Sequence, residues 1–431
     1  MEPMKPKEPV LPHMRNRGPD VRLFLTKEDY EARRPDDMFE SSLAFAMDYL
    51  RRLKPEYSFD DVKTPAEMDE WRRKVRAKLR ELLQIGEIPR PEFKVVSEAR
   101  RDGYRLYRYE FSPEERLVVP ILVLVPERAI ADGARVPAVI CMPGSGASLN
   151  SLAGEPDDFA NHFPLRNRQA WFYVKAGMVA VAIENPATAE NGVDGVEHYR
   201  VQHVFSWLMR LAGRSPYGFM VEHVLETIEF LKGHPNVDPA RIALSGMSLG
   251  TMPAMYTAAL SDDVAAYVHN DFCCSRAMRA MAQTGGEAQA AAQIDPRVPE
   301  GAYRWFDDDP EVLAAIAPRP LSLSEGGPWK HHLEKITRAY ALAGAPQNHQ
   351  VAHYAKYADP ASRKYDDADL KEMRGLTPEE LFEVANVDAP QHSFHPDINL
   401  PWLSRIFFGK VDFSPELEEA IRFSAAAPGA W

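Results

Sequence analysis

The sequence predicts an α/β fold: a mostly parallel sheet with helices on both faces, a helical N-terminal extension and long lid-forming insertions. Three observations lead there. Short, almost wholly apolar runs recur beyond residue 117 with helical stretches between them, which is how strands buried on both faces of a sheet read. Ahead of them an alternating stretch is broken at Asp102–Gly103, a turn signal for an antiparallel start. A glycine-flanked serine then follows one apolar run and precedes a helical stretch.

Taken in chain order, Phe39, Leu43, Ala46 and Leu50 lie at helical spacing after a Pro-rich start. A second helix is marked by Thr64 as N-cap, Pro65 in the first turn and Glu67 completing a capping box. Its stripe is Met68, Trp71, Val75, Leu79 and Leu82, with Gly86 as the expected stop. Residues 1–90 are therefore expected to form an extension that covers a main body of residues 91–431. In that body a strand from Leu117 to Val125 follows the Asp102–Gly103 turn, and further strands are expected at Val139–Met142, Val179–Ile183, Ile242–Ser245, Val264–Val268, Leu321–Ser324 and Gln350–Tyr354. A crossover helix opens at Ser215–Pro216, buries Val221, Val224, Leu225, Ile228 and Leu231, and closes at Gly233.

Three connections are long: Gly144 to Gly177, Cys273 to Pro318 and Ala355 to Gln391. Loops of that length are usually functional, and all three are expected to leave the sheet edge where open α/β folds bind ligands. The first carries Phe159, Phe163, Trp171 and Phe172, and the second Tyr303, Trp305 and Phe306, so pocket lining and satellite packing are both expected among them.

Composition bounds the function. Of 431 residues 45% are hydrophobic, enough for a large core, and 51 basic against 63 acidic side chains leave a net charge of −12. That sign repels nucleic acid and anionic membrane, so neither is an expected partner. It neither requires nor forbids self-assembly. Cys141, Cys273 and Cys274 make no disulfide framework, and no stretch of about 18 apolar residues occurs, so a cytoplasmic protein is expected. There is no glycine-rich nucleotide loop, and the neighbours His331 and His332 diverge on a helix; neither cofactor nor metal is expected.

The chemistry centres on Gly246–Met247–Ser248–Leu249–Gly250. A strand-to-helix turn this sharp has no room for side chains on its flanks, and it lifts the serine clear of the sheet as a nucleophile. The bland alternative is an ordinary β-to-α turn made of small residues. A serine hydroxyl also needs a base and an acid that orients the base.

At these residues the chain resembles the α/β-hydrolase superfamily, and within it the esterase branch of dienelactone-hydrolase-like and acetyl-xylan-esterase-like enzymes. The resemblance runs from about Phe93 to Gly409. It is carried by Asn236–Val237–Asp238–Pro239–Ala240–Arg241–Ile242 ahead of the turn, by Ala317–Pro318–Arg319–Pro320–Leu321, and by His392–Ser393–Phe394 before a final helix. It implies the order Ser, acid, His, with His392 as base and His395 as competitor. The acid implied just beyond the strand at Pro320 is Glu325, although the family has an aspartate there; Asp271 is the alternative. The oxyanion donors implied are the N–H groups of Leu249 and Ser145, with Pro143–Gly144–Ser145 replacing the family's usual His-Gly start. The implied reaction is hydrolysis of a carboxylic ester through an acyl-enzyme, with small-molecule or carbohydrate esters as substrates, acetyl sugars among them. A peptidase like the prolyl-oligopeptidase catalytic domain, or a binding protein on the same fold, are the alternatives.

Overall fold

The computed structural model describes residues 32, 34–156, 167–271, 297–306, 309–324, 330–352 and 393–426. Contacts divide the chain into two units, a smaller one holding Met1–Arg52, Arg276–Asp295 and Tyr365–Ala385, and a larger one holding the rest. In the smaller unit the described helix is α1, Ser42–Arg52, three residues later than its apolar spacing begins.

The larger unit is built on one sheet of nine strands: β1 (Lys94–Arg101), β2 (Tyr104–Phe111), β3 (Val119–Pro126), β4 (Val136–Met142), β5 (Val179–Ile183), β6 (Val237–Met247), β7 (Val264–Asn270), β8 (Leu321–Leu323) and β9 (His349–Val351). Their spatial order is β1-β2-β3-β5-β4-β6-β7-β8-β9. The first three and the β3–β5 pair are antiparallel, and every pair from β5 to β9 is parallel. The mostly parallel sheet with an antiparallel start is thus the architecture present. Several strands outrun their apolar runs: β6 begins five residues before Ile242, because its polar first half is still hydrogen-bonded to β4 at Val136.

Alternation along the strands sorts side chains onto two faces. Ile121, Val123, Ile140, Leu244 and Tyr267 enter one core together with α2 (Pro65–Leu82), α7 (Pro216–Gly233) and α8 (Thr251–Leu260). Leu122, Leu124, Val139, Ala243 and Val268 enter the other, with α4 (Leu149–Ala153), α5 (Gln169–Lys175) and α11 (Pro396–Phe408). The remaining α-helices of the described residues are α3 (Glu127–Ala131), α6 (His198–Leu211), α9 (Asp309–Ala314), α10 (Lys330–Leu342) and α12 (Pro415–Ala426). None of the described helices is long and apolar enough to cross a membrane.

The capping box of α2 is present in both directions, Glu67 N–H to Thr64 Oγ1 at 3.3 Å and Thr64 N–H to Glu67 Oε2 at 2.9 Å. The helix ends at Leu82 rather than near Gly86, because Gln84 takes a φ of +59° and breaks the run first. Within the larger unit it is fastened by Arg72 on the Ala317 carbonyl, 2.6 Å, and Arg76 on the Leu260 carbonyl, 2.7 Å. The connection from Gly144 to Gly177 is not plain loop, since α4 and α5 lie inside it. In it Phe172 packs on Phe394, while in the second connection Phe306 sits in the first core and Trp305 lies tilted against Tyr57. Phe159 and Phe163 lie outside the described residues, as does the whole connection from Ala355 to Gln391.

Candidate active site

The chain runs from β4 to β5 on one side of the sheet, then crosses back to lay β6 on the other side of β4. The crevice beyond the carboxyl ends of β4 and β6 is therefore a topological switch point, the usual ligand position in such sheets. Met142 and Gly246 pair at the ends of the two strands, so the segments that follow, Pro143–Gly144–Ser145 and Met247–Ser248, leave the sheet side by side.

Ser248 stands at the head of a single tight turn, Ser248–Gly250, between β6 and α8. Its φ is +53°, in the left-handed region, a strain of about 1–3 kcal/mol for a residue with a side chain. The neighbours enforce it. A Cβ on Gly246 would lie 2.5 Å from the Gly250 carbonyl oxygen, and one on Gly250 would run into the Met142 carbonyl. Thr251 Oγ1 donates to the Ser248 carbonyl at 2.5 Å, and Tyr267 Oη donates to the Thr251 carbonyl at 2.8 Å. The turn is thus locked from below by α8 and β7 while the serine side chain is left partly exposed.

The loop after β4 closes on the serine. A Cβ at Gly144 would be 3.3 Å from Ser248 Cβ and 3.0 Å from Met247 Sδ, so glycine lets the two segments meet without displacing either neighbour. Side chains hold this loop from beneath: Asn185 Nδ2 donates to the Pro143 carbonyl at 2.9 Å, and Gln169 Nε2 to the Met142 carbonyl at 3.1 Å. Gln169 in turn accepts from Ser245 Oγ at 2.7 Å, which ties the loop back to β6. Ser145 comes next to Gly144, and its Oγ shares a 2.9 Å hydrogen bond with Tyr199 Oη on α6. Of the two oxyanion candidates, Ser145 is therefore one residue from the Ser248 contact and Leu249 follows the serine directly. Beside them burial holds the His198 imidazole below its usual range, against a weaker upward pull from Glu197.

A buried polar clasp gathers the other strand ends. Asn270, last residue of β7, donates from Nδ2 to the Ser393 carbonyl at 2.9 Å. Its Oδ1 accepts from the His395 N–H at 2.9 Å and from Asn399 Nδ2 at 3.0 Å. Asn399 Nδ2 also donates to Ser324 Oγ at 2.9 Å. Asn270, Ser324 and Asn399 are fully buried. The clasp brings Ser324, which precedes Glu325, and Ser393, which follows His392, onto the end of β7. Glu325 and His392 themselves lie outside the described residues. Asp271, the alternative acid, follows Asn270 at the same strand end, and His395 stands at the N-cap position just ahead of α11 with its backbone N–H engaged in the clasp. Sequence reasoning missed Asn270, Asn399, Gln169 and Tyr199. The signal for the first two was a polar residue interrupting an apolar run, at the end of β7 and within α11.

A strained serine at the tip of a strand-to-helix turn, on the switch point of a mostly parallel sheet, defines an α/β-hydrolase. The profile of the Abhydrolase family matches residues 26–405, and the chain belongs to that family. Within it the chain stands on the acetyl-xylan-esterase-like branch. It is 32% identical to a crystal structure from Bacteroides fragilis NCTC 9343 described as an acetyl xylan esterase, with a TM-score of 0.75 over 88% of this chain and 98% of that one. It is also 28% identical over 158 residues to YtaP of Bacillus subtilis (strain 168), named as a hydrolase; the match covers 34% of this chain and 50% of that protein.

Proposed function

We propose that the protein is a serine esterase acting on esters of carbohydrates, acetyl esters foremost. Ser248 Oγ attacks the ester carbonyl while His392 takes its proton, and Glu325 holds the imidazole in the correct tautomer and offsets its charge. The N–H groups of Leu249 and Ser145 receive the oxyanion. His392 then protonates the departing alcohol, and water activated by the same histidine releases the acid from the acyl-enzyme. The observation that carries this reading is the left-handed Ser248 with Gly144 against its Cβ, an arrangement that costs energy and presents one hydroxyl to the loop that can stabilise its product. The similarity to a protein described as an acetyl xylan esterase supports the choice of acyl group and alcohol.

The test is covalent labelling with a fluorophosphonate, followed by turnover of p-nitrophenyl acetate and acetylated xylo-oligosaccharides. Stoichiometric modification of Ser248 and loss of at least a thousandfold in kcat for Ser248→Ala are expected. An unlabelled serine would mean a binding protein on a hydrolase fold. Labelling with turnover of peptides but not esters would instead favour a peptidase.

A further inference from the structure

We propose that Tyr199 is a positioning residue for the oxyanion loop: its hydroxyl, bound to Ser145, holds the Ser145 N–H where charge develops on the ester carbonyl. Tyr199 belongs to α6, an element apart from the strand-to-helix turn and from the segments that carry the proposed acid and base. Its role rests on the esterase reading above, in which Ser145 is one of the two donors.

The loop needs a hold from outside. Gly144, Ser145, Gly146 and Ala147 make a tight turn, closed by the Ala147 N–H on the Gly144 carbonyl at 3.2 Å. Two of these four residues are glycine, whose backbone ranges over more conformations than that of any other residue. The chain is gripped ahead of the turn, at the Met142 and Pro143 carbonyls, by Gln169 and Asn185. Behind it the chain is gripped by the start of α4, where Ser148 Oγ accepts from the Ser151 N–H at 3.2 Å and Ser151 Oγ from the Ser148 N–H at 2.9 Å. Between these grips Ser145 carries the one polar side chain, so it is the handle by which a neighbour can fix the tip.

Tyr199 is held firmly enough to be that neighbour. It is the second residue of α6, and Glu197 caps the helix by accepting from the Tyr199 and Arg200 N–H groups at 3.0 and 2.9 Å. One turn on, the buried Gln202 donates to Thr188 Oγ1 at 2.9 Å and accepts from Arg297 at 3.0 Å. Thr188 stands just beyond β5, the strand paired with β4, so the start of α6 is fixed to the strand ends from which the loop springs. Two consecutive side chains reach the loop from there. Tyr199 Oη meets Ser145 Oγ at 2.9 Å, and His198, its ring 4.2 Å from that of Tyr199, has Nε2 4.0 Å from where a Gly146 Cβ would stand. An oxyanion donor works by being in place before the charge appears, and a displacement of about 1 Å can lower a rate about a hundredfold. The hydroxyl pair removes that freedom from the turn. Because the oxyanion is absent from the ground state, the benefit falls on kcat and leaves KM almost untouched.

Steady-state kinetics with p-nitrophenyl acetate on Tyr199→Phe, Ser145→Ala and the double variant test this, beside the rate of fluorophosphonate labelling at Ser248. Both substitutions keep every backbone N–H, and the first keeps the ring. Each single variant is expected to lower kcat about 10- to 100-fold with KM within threefold, and to slow labelling by a similar factor. The double variant should fall no more than twofold below the poorer single one, since both changes cut the same link. Thermal midpoints should stay within about 3 °C of the parent. If Tyr199→Phe alone is destabilised beyond that, Ser145→Ala carries the test with the same expected loss. A kcat within threefold of the parent in a stable single variant overturns the assignment, as does a loss that appears in KM instead. Losses that multiply in the double variant also overturn it, since they would put Tyr199 on the substrate itself. A parent that is neither labelled nor active on esters removes the esterase reading and this role with it, whereas an active parent whose variants keep its kcat removes this role alone.

Discussion

At the scale of single residues, what could be read from sequence was what is enforced locally. The requirement for glycine at 246 and 250 arises from atoms within a few residues and from the adjoining strand end, so five consecutive residues announce the turn. The clasp is different, since Asn270 and Asn399 are 129 residues apart and neither carries a local mark of its partner. The same distance blurs the acid and the base. If Glu325 orients His392, Glu325→Gln should lower kcat by two to four orders of magnitude while Asp271→Asn stays within about tenfold. His392→Ala should inactivate and His395→Ala should not, because His395 has its backbone role to keep. Steady-state kinetics of the four variants decides it: a crippled Asp271→Asn moves the acid to the end of β7, and a crippled His395→Ala moves the base by three residues.

At the scale of elements, helices with caps and one apolar face were legible, and α7 begins at Pro216 behind its Ser215 cap as the sequence implies. Helix α6 was missed although Val204, Trp207, Leu208 and Leu211 stand at the i, i+3, i+4, i+7 spacing of one helical face; in the structure these four side chains are exposed. Burial on α7 also has consequences that composition conceals. Glu226 is almost completely buried, and desolvation, with Glu222 and Glu114 adding to it, raises its carboxyl to about 8. His223, equally buried against Phe111 and Phe219, is held down at about 3 by desolvation, with Arg214 adding to it. An unfolded chain ionises Glu226 from about pH 4.5 while the folded one waits until about 8, so this group's stabilisation is complete below 4.5 and lost as pH rises to 8. For His223 the unfolded chain takes up its proton below about 6.5 and the folded chain does not until about 3, so that stabilisation is complete above 6.5 and lost as pH falls. Urea unfolding at pH 5, 6.5 and 8 should show Glu226→Gln gaining on the parent by roughly 1–3 kcal/mol between pH 5 and 8. Parallel profiles for parent and variant would remove Glu226 from the account.

At the scale of the whole chain, the apolar runs disclosed a largely parallel sheet with an antiparallel start but not its order. The order is set by which way each crossover turns, and that depends on helix faces packing over distances no short window spans. Net charge was legible outright, and it acts on encounter: at −12 the protein repels an anionic ester until salt shortens the reach of its field. Raising ionic strength from about 0.01 to 0.15 M cuts the screening length from about 30 to 8 Å. It should raise kcat/KM for a uronate-bearing ester roughly two- to fivefold while a neutral ester stays flat. A fall with salt for the anionic ester would mean that local positive charge, not the net field, governs its approach. The clasp at Asn270, finally, puts the enzyme on a clock. At about 5–20 residues per second, synthesis needs roughly 6–26 s after Asn270 to reach Asn399. A nascent chain on the ribosome can therefore have seven strands and the Ser248 turn already made while the segment proposed to carry the base is still unmade, and on that proposal it emerges inert.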